Sequence, residues 1–327
     1  MTPDPTELQR ISDRYATFAV DEAKGASEIY ERLALAIAAS PELLAFIAGL
    51  PSDRRQPNLF LAAVRQVNGV PEDPKHLVAA VRKYHSRIRS VMLSRTTQTN
   101  EPARCSVLLP LLARLPQPLA LLEIGASAGL CLLPDRYGYD YGTRRIEPAA
   151  AGAPVFRCKV TGAVPLPARV PRIVWRLGLD LNPLDLRSEN EVRWLETLVW
   201  PGQEARAHRL RAAIDVARRD PPTIIKGDLL TDLEPLMAAA PKDATLVVYH
   251  TAVLAYVIPR ERRERFAETM RRSDAVWISN EAPGVFPSYA KTAPRAPSRG
   301  RFLMMLGGTP VAWTGPHGQS IDWFAAP

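Results

Sequence analysis

The chain has 327 residues, 46% hydrophobic and 23% charged, which is the composition of an ordinary globular protein with room for two domains. Its formal net charge of +8 does not by itself indicate a nucleic-acid partner, because only seven of the 42 basic residues are lysines and the arginines are scattered among acids. The first ten residues lack the pattern of a secretory signal, and no apolar run approaches the roughly 20 residues that span a bilayer, so we expect a cytoplasmic protein without a membrane segment.

Residues 1–117 are predicted to be helical throughout. Apolar residues recur with the helical period in three segments, 28–50, 59–67 and 75–92, which are separated by prolines and glycines. Ser40 is a suitable N-cap inside the first of these segments. No stretch in this part alternates like a strand, so the sequence predicts an N-terminal helical domain that covers the carboxyl edge of the sheet predicted below.

From residue 119 onward, short apolar strands alternate with helices, which is the pattern of βαβ units around a parallel sheet. The predicted strands are 119–124, 172–178, 223–226, 244–250, 274–280, 301–307 and 310–315. The predicted helices lie near 188–200, 203–219, 229–240 and 259–272. The last two strands flank a Gly-Gly-Thr turn, so we expect the sheet to end in an antiparallel hairpin.

The segment LALLEIGASAGL, residues 119–130, ends the first predicted strand with an acid and then breaks into small residues. Its G-A-S-A-G part fits the nucleophile elbow of a serine hydrolase, with Ser127 as nucleophile. Asp274 and His317 follow in the order that a triad requires. However, an elbow follows a later strand of its sheet, and Glu123 places a carboxylate where that strand is apolar. The hydrolase is therefore the third of three functional hypotheses.

The same segment resembles the first motif of class I S-adenosylmethionine-dependent methyltransferases, an acid followed by G-x-G-x-G, with Ser127 in place of the middle glycine. The resemblance implies that Gly125 and Gly129 let backbone amides approach the methionine part of the cofactor. It also implies that Glu123 orders the loop near the cofactor's amine. We expect a helix to follow the loop, and its N-terminus would favour the cofactor's carboxylate.

The second methyltransferase motif has its counterpart in RIVWRLGLDLNP, which begins at residue 172. This apolar strand ends at Asp180, and the resemblance implies that its carboxylate accepts hydrogen bonds from both ribose hydroxyls of the cofactor. Asp180 lies 57 residues after Glu123, whereas about 20 is usual. An insertion at about 135–170 explains the difference. Asp140, only 17 residues after Glu123, stays open as the alternative ribose acid.

The third and fourth motifs follow in order. Asp228, after the predicted strand 223–226, resembles the acid that contacts the adenine amino group, and residues 244–257 resemble a strand that ends at the active site. At the end of that strand, His250 is a candidate general base for a substrate hydroxyl or amine. The alternative is a histidine whose hydrogen bonds are satisfied by neighbouring loops. Tyr249 is a second catalytic candidate, with core packing as its alternative.

Further polar and aromatic residues are candidates for the substrate site. A polar cluster precedes the first strand and forms either an N-cap network or a wall of the substrate pocket. Its members are Gln98, Asn100, Glu101 and Arg104. The Pro-rich basic loop 287–301 is predicted to face this cluster across the pocket. Three alternating tyrosines, at 137, 139 and 141, are typical of packing more than of a ligand platform.

At the level of the whole chain, the sequence resembles the bacterial domain-of-unknown-function family 2332. The matching segments begin with QTNEPARC at residue 98 and LLEIGASAGL at residue 121, continue with DRYGYDYG at 135 and RLGLD at 176, and end with His317-Gly318. This family implies an architecture and no established activity. Its likeness to methyltransferases rests on the motifs above.

The sequence thus predicts an α/β fold of the Rossmann type, like that of class I methyltransferases, with residues 1–117 as a helical domain and 118–327 as the sheet domain. The predicted function is S-adenosylmethionine-dependent methyl transfer to an unidentified small molecule. The alternative is a non-catalytic protein that binds S-adenosylmethionine or another nucleoside. Three well-separated cysteines and five histidines form no ligand motif, so no metal is expected. A homodimer is left open.

Overall fold

The structure is a computed structural model that describes residues 4–326. The chain divides into two compact units. One consists of the residues up to Thr99 together with Glu189–His208, and the other of Asn100–Ser188 with the residues from Arg209 onward. Residues 100–117, which the sequence analysis assigns to the helical domain, therefore belong to the second unit, and the domain boundary at 117 stays a prediction.

The helices occupy segments with helical periodicity, many of them introduced by a proline in the first turn. They are α1 (Pro5–Phe18), α2 (Glu28–Ala38), α3 (Pro41–Ala48), α4 (Pro57–Asn68), α5 (Pro74–Ser94), α6 (Cys105–Leu112), α7 (Glu189–Thr197), α8 (Glu204–Arg219), α9 (Leu233–Ala238), α10 (Arg260–Arg272) and α11 (Pro287–Ala290). A short π-helical segment, Ala19–Ala23, extends α1. Within residues 4–326, no helix is long and apolar enough to cross a membrane.

The strands include all those that the sequence predicts. They are β1 (Leu119–Ile124), β2 (Gly138–Asp140), β3 (Arg145–Ile146), β4 (Val155–Arg157), β5 (Lys159–Thr161), β6 (Ile173–Asp180), β7 (Thr223–Lys226), β8 (Thr245–Thr251), β9 (Val276–Glu281), β10 (Phe302–Leu306), β11 (Thr309–Thr314) and β12 (Ser320–Trp323). β12 and the four short strands β2 to β5 are not predicted from the sequence, because runs of two to four residues are too short to show a period.

Side-chain caps and buried apolar faces define the helical unit. Ser27, Ser40 and Asp73 each accept a hydrogen bond from a backbone N–H in the first turn of the helix that follows. The apolar faces of α1 to α5 enclose a core that includes Trp194 of α7. The indole Nε1 of Trp194 also donates to the carbonyl of Thr96 at 3.0 Å. The hydrogen bond that the Ser40 side chain accepts confirms its predicted role as an N-cap.

The second unit is built on a nine-stranded, mostly parallel sheet with the order β5-β12-β11-β10-β9-β8-β1-β6-β7. The strands β7, β6, β1, β8 and β9 are mutually parallel, and β10 and β11 form the predicted antiparallel hairpin. β12 continues the antiparallel part, and β5 pairs with it in parallel. The α/β class, the parallel sheet and the C-terminal hairpin are confirmed.

The two faces of this sheet carry different side chains near the carboxyl ends of the strands. Paired residues on adjacent strands point to the same face, so Glu123 and Tyr249 share one, which we name the Glu123 face. His250 points to the opposite face, which we name the α10 face. There the ring of Phe266, from α10, meets the imidazole edge-on with centroids 5.4 Å apart. The α10 face is covered by an apolar core, whereas the Glu123 face ends in polar groups.

The insertion at 135–170 is an ordered part of the second unit. Its strands β3, β2 and β4 form a separate small sheet. Tyr137, Tyr139 and Tyr141 are buried, and each hydroxyl donates to a backbone carbonyl. The rings of Tyr139 and Tyr141 stack with centroids 6.2 Å apart. The three tyrosines therefore pack the insertion and present no open aromatic surface.

Candidate functional site

Polar residues collect where the parallel strands end. The last residues of β1, β6, β8, β9 and β11 that point to the Glu123 face are Glu123, Asp180, Thr251, Asn280 and Thr314, which we name the polar edge. Each of these residues is at most 8% exposed. Ligands of open α/β sheets bind outside the carboxyl ends of the strands. The polar edge is therefore the candidate functional site.

The loop after β1 needs its glycines for reasons of packing. Gly125 and Gly129 have φ values of +71° and +74°, in the left-handed region that favours glycine. A Cβ added to Gly125 would lie 2.2 Å from Cγ2 of Val253, and one added to Gly129 would lie 2.6 Å from Cγ of Pro222. The space beside each glycine is thus filled by a side chain of a neighbouring loop. Ser127 adopts a φ of +53°, a conformation that costs about 1–2 kcal/mol outside glycine.

The helix expected after this loop does not form, and this prediction was wrong. Gly129 is followed by a single 3₁₀ turn, Leu130–Leu132. Pro134 disfavours a helical conformation at the residue before it, which prevents the turn from continuing. The side-chain oxygen of Asn100 accepts a hydrogen bond from the N–H of Leu130 at 2.8 Å, so a side chain occupies the donor that a longer helix would offer to an anion.

Of the three candidate cofactor acids after Glu123, only Asp180 belongs to the polar edge. Its Oδ2 accepts from the N–H of Ser127 at 2.8 Å, and its Oδ1 accepts from the N–H of Asn182 at 2.7 Å. Asp140 lies in the small sheet, where it accepts from the N–H of its own turn and faces arginines. Asp228 forms an ion pair with Arg262 of α10. The carboxylate of Asp180 is therefore the one that the glycine loop holds.

Glu123 is buried and lies in an environment that opposes its charge. Burial raises the pKa of its carboxyl well above the ordinary value, the Cys131 thiol and the Asp180 carboxylate raise it further, and the Arg104 guanidinium opposes the shift. Its Oε2 and the Oγ of Ser127 have no hydrogen-bond partner. The Glu123 face thus presents a carboxyl group whose pKa is raised and a hydroxyl, and both have unused hydrogen-bonding capacity.

The candidate substrate residues before α6 are divided between the two units. Gln98 belongs to the helical unit, and the other three belong to the sheet unit. Glu101 caps a 3₁₀ turn by accepting from the N–H of Ala103 at 3.2 Å. Together with the hydrogen bond of Asn100 to the β1 loop, this geometry favours the capping interpretation for those two side chains. Arg104 instead reaches the polar edge, where its Nη1 donates to the backbone and side-chain oxygens of Thr251 at 3.2 and 3.3 Å.

The two catalytic candidates point to opposite faces of the sheet. The His250 Nδ1 lies 2.8 Å from Oε1 of Glu281, and its Nε2 accepts from the indole N–H of Trp277 at 3.1 Å. Since an indole nitrogen only donates, the neutral ring carries its proton on Nδ1. The hydroxyl of Tyr249 donates to the carbonyl of Cys131 at 2.9 Å, and burial raises its pKa well above the ordinary value. This geometry favours the packing alternatives, and the catalytic roles stay predictions.

Glu281 is a buried strand-end acid that was not predicted from the sequence, although it ends β9 in the polar run Ser279-Asn280-Glu281. Its Oε1 also accepts from the N–H groups of Val253 and Leu254 at 3.0 and 3.1 Å. These bonds fix the loop after β8. A run of polar residues that ends a predicted apolar strand was the available signal, and it is the same signal that identified Glu123.

The structure also disagrees with the triad considered for the hydrolase alternative and with the predicted position of the loop 287–301. Asp274 precedes the first residue of β9, at the sheet edge opposite to that of Ser127, so it cannot complete a triad with that serine. The loop 287–301 packs on the α10 face, where the indole of Trp313 donates to the carbonyl of Pro294 at 3.0 Å. Arg104 reaches the Glu123 face, so this loop and Arg104 do not face one another.

The cysteines and acids of residues 4–326 show no arrangement typical of a metal centre. Cys105, Cys131 and Cys158 are buried free thiols, as expected from their spacing. The Sγ of Cys131 donates to the carbonyl of Glu101 at 3.2 Å. In the part of the chain that the structure describes, no group of three or more His, Cys, Asp and Glu residues is arranged to hold a metal ion.

The fold and the polar edge define an α/β protein whose buried polar groups converge at the carboxyl ends of its central parallel strands. The chain belongs to the bacterial family described as an uncharacterized protein conserved in bacteria (DUF2332), which matches residues 12–323. The family resemblance stated from the sequence is therefore confirmed. No curated protein and no solved structure matches the chain.

Proposed function

We propose that the protein is an S-adenosylmethionine-dependent methyltransferase that acts on a small molecule, with the cofactor at the carboxyl ends of β1 and β6. The observation that carries the proposal is that Glu123 and Asp180 point to one face of these adjacent strands, beside a loop with left-handed glycines. The five parallel strands also follow the order 3-2-1-4-5 of dinucleotide-binding sheets when numbered along the chain, which favours a Rossmann-type fold.

The residues present fit the cofactor in part. The unpartnered Oε2 of Glu123 and Oγ of Ser127 are buried polar atoms that a polar ligand would satisfy. Asp180 would hold the ribose hydroxyls, and Glu123 would hold the amine. The filled space beside Gly125 and Gly129 departs from the first methyltransferase motif. Neighbouring side chains occupy positions that this motif leaves to the ligand. The cofactor supplies an electrophilic methyl group when bound.

The chain's own residues would act by binding and orientation. Two backbone N–H groups fix the orientation of the Asp180 carboxylate. A cationic amine beside Glu123 would lower the raised pKa of that carboxyl, so binding would release a proton and the affinity would rise with pH. Methyl transfer needs an aligned acceptor and exclusion of water more than a dedicated base. A reaction of this kind is compatible with the hydrogen bonds that already occupy the side chains of His250 and Tyr249.

Titration calorimetry with S-adenosylmethionine and S-adenosylhomocysteine tests the proposal. We expect Asp180→Ala to weaken binding by about one to two decades, because a hydrogen bond to a charged group contributes about 1.5–3 kcal/mol. Asp140→Ala is the matched control and should leave the affinity unchanged. Absence of binding to the unaltered protein would refute the proposal, as would an equal loss in both variants.

A second candidate is a non-catalytic protein that binds S-adenosylmethionine or another nucleoside at the same edge. The observation that favours it is the engagement of both catalytic candidates in hydrogen bonds within the core. Transfer of a labelled methyl group into the small-molecule fraction of a bacterial extract separates the two functions. Binding without transfer supports the second candidate.

A further inference from the structure

A group of hydrogen-bond donors lies at the polar edge on the side of β8, β9 and β11. Besides its bonds to Thr251, the guanidinium of Arg104 donates through Nε to the carbonyl of Pro316 at 2.9 Å. It therefore links the end of β8 to the loop after β11. Asn280 lies on β9, the strand next to β8, in register with Thr251.

The side-chain amide of Asn280 is only half used. Its Oδ1 accepts from Oγ1 of Thr314 at 2.7 Å, whereas its Nδ2 has no partner although the residue is 0% exposed. A buried N–H donor without an acceptor costs free energy, and such a group in a folded protein calls for a ligand, an ion or a bound water.

The acceptors that the Arg104 guanidinium contacts are uncharged. Arg104 is 7% exposed, and it donates to the carbonyl of Pro316 and to two oxygens of Thr251. Glu123 is close enough to interact with this guanidinium electrostatically, but burial raises the pKa of that carboxyl and so favours its neutral form. A buried cation is stable only when an anion or strong hydrogen-bond acceptors surround it.

We propose that Arg104 and Asn280 form a subsite for a carboxylate group of the substrate. This inference rests on the proposed function, since it assigns a small carboxylic acid as the class of methyl acceptor. A carboxylate is planar, accepts from two neighbouring donors and carries one negative charge, which matches one guanidinium and one amide N–H₂. A phosphate dianion would leave an excess negative charge in the same buried place.

The test uses acetate and benzoate as probes, with inorganic phosphate and sodium chloride at matched ionic strength. Thermal denaturation and ligand-observed NMR follow binding to the full-length protein. We expect both carboxylates to raise the melting temperature above the value in chloride, and phosphate to raise it less. No increase over chloride, or a larger effect of phosphate, would overturn the assignment.

Asn280→Asp provides the matched variant. It keeps the oxygen that accepts from Thr314 and replaces the unpartnered N–H₂ with a carboxylate oxygen on the strand next to Thr251, which Arg104 contacts. We expect at least tenfold weaker binding of benzoate. Asn68→Asp introduces the same charge at an exposed residue at the end of α4 and should bind like the unaltered protein. Equal affinity in Asn280→Asp and the unaltered protein would refute the subsite.

Calorimetry with S-adenosylhomocysteine on the same proteins separates this inference from the proposed function. Benzoate binding without S-adenosylhomocysteine binding would support the carboxylate subsite and refute the proposed methyltransferase function. The carboxylate would then no longer identify a methyl acceptor. S-adenosylhomocysteine binding without any carboxylate effect would reject the subsite alone.

Discussion

The contact between the loops after β1 and β8 can be tested by giving Gly125 a side chain. In Gly125→Ala, the φ of +71° costs about 1–2 kcal/mol. The new Cβ would also lie 2.2 Å from Cγ2 of Val253, and overpacking of this kind typically costs about 1–3 kcal/mol. Urea denaturation should therefore show a loss of about 2–5 kcal/mol in the free energy of unfolding. Gly142→Ala is the matched control, because Gly142 has a φ of +79° and nothing within 4 Å of the added Cβ.

A double-mutant cycle with Val253→Gly isolates the contact itself. We expect a coupling of about 1–3 kcal/mol, since removing the valine side chain relieves only the overpacking part of the loss. The reasoning is refuted if Gly125→Ala costs no more than Gly142→Ala, or if the coupling is zero. The result also bears on function. A bulky residue at 125 would disturb the loop before any ligand is present, so loss of cofactor binding in such a variant must be judged against its stability.

Three other outcomes follow from the buried polar groups. Glu123→Gln should stabilise the protein increasingly as pH rises. Folding raises the pKa of the Glu123 carboxyl, so this group contributes stability at low pH, and that contribution is lost as the pH rises toward the folded-state pKa. Denaturation at several pH values checks this, and a pH-independent difference between the two proteins would contradict it. Trp277→Phe should cost about 1–3 kcal/mol by leaving Nε2 of His250 without a donor, and a loss within experimental error would contradict the assigned hydrogen bond. Ser127→Gly removes the left-handed strain of a non-glycine residue at a φ of +53°, so chemical denaturation should show no loss of stability, and a loss above about 1 kcal/mol would count against it.

The large sheet could be predicted because its central strands are short apolar runs that end in a polar or glycine residue. β1, β6 and β8 all show this pattern, and each lies within two residues of its predicted bounds. The hairpin of β10 and β11 followed from the two glycines between them.

The rest of the fold depends on contacts between residues far apart in the chain. The membership of α7 in the helical unit is an example, since it depends on Trp194, whose indole bonds to a carbonyl 98 residues earlier. The helix that does not form after Gly129 could have been excluded from the sequence. Pro134 is a local signal against it, but the resemblance to methyltransferases favoured a helix there. The hydrogen bonds at both ring nitrogens of His250 could not be predicted from the sequence, because the partners Trp277 and Glu281 lie 27 and 31 residues further along the chain.

The two faces of the sheet differ in a way that decides where a ligand fits. Both carry buried polar atoms without partners at the strand ends, including Oε2 of Glu281 on the α10 face. There, however, the rings of Phe266, Trp277 and Phe286 lie within 6.5 Å of the His250 ring, between ring centroids, and leave the polar groups enclosed by aromatic side chains. On the Glu123 face, the neighbouring group is a guanidinium that donates to strand-end oxygens. Because a polar ligand is stabilised by donors and charges and not by aromatic edges alone, the unpaired groups of the Glu123 face are those that a substrate or cofactor would satisfy.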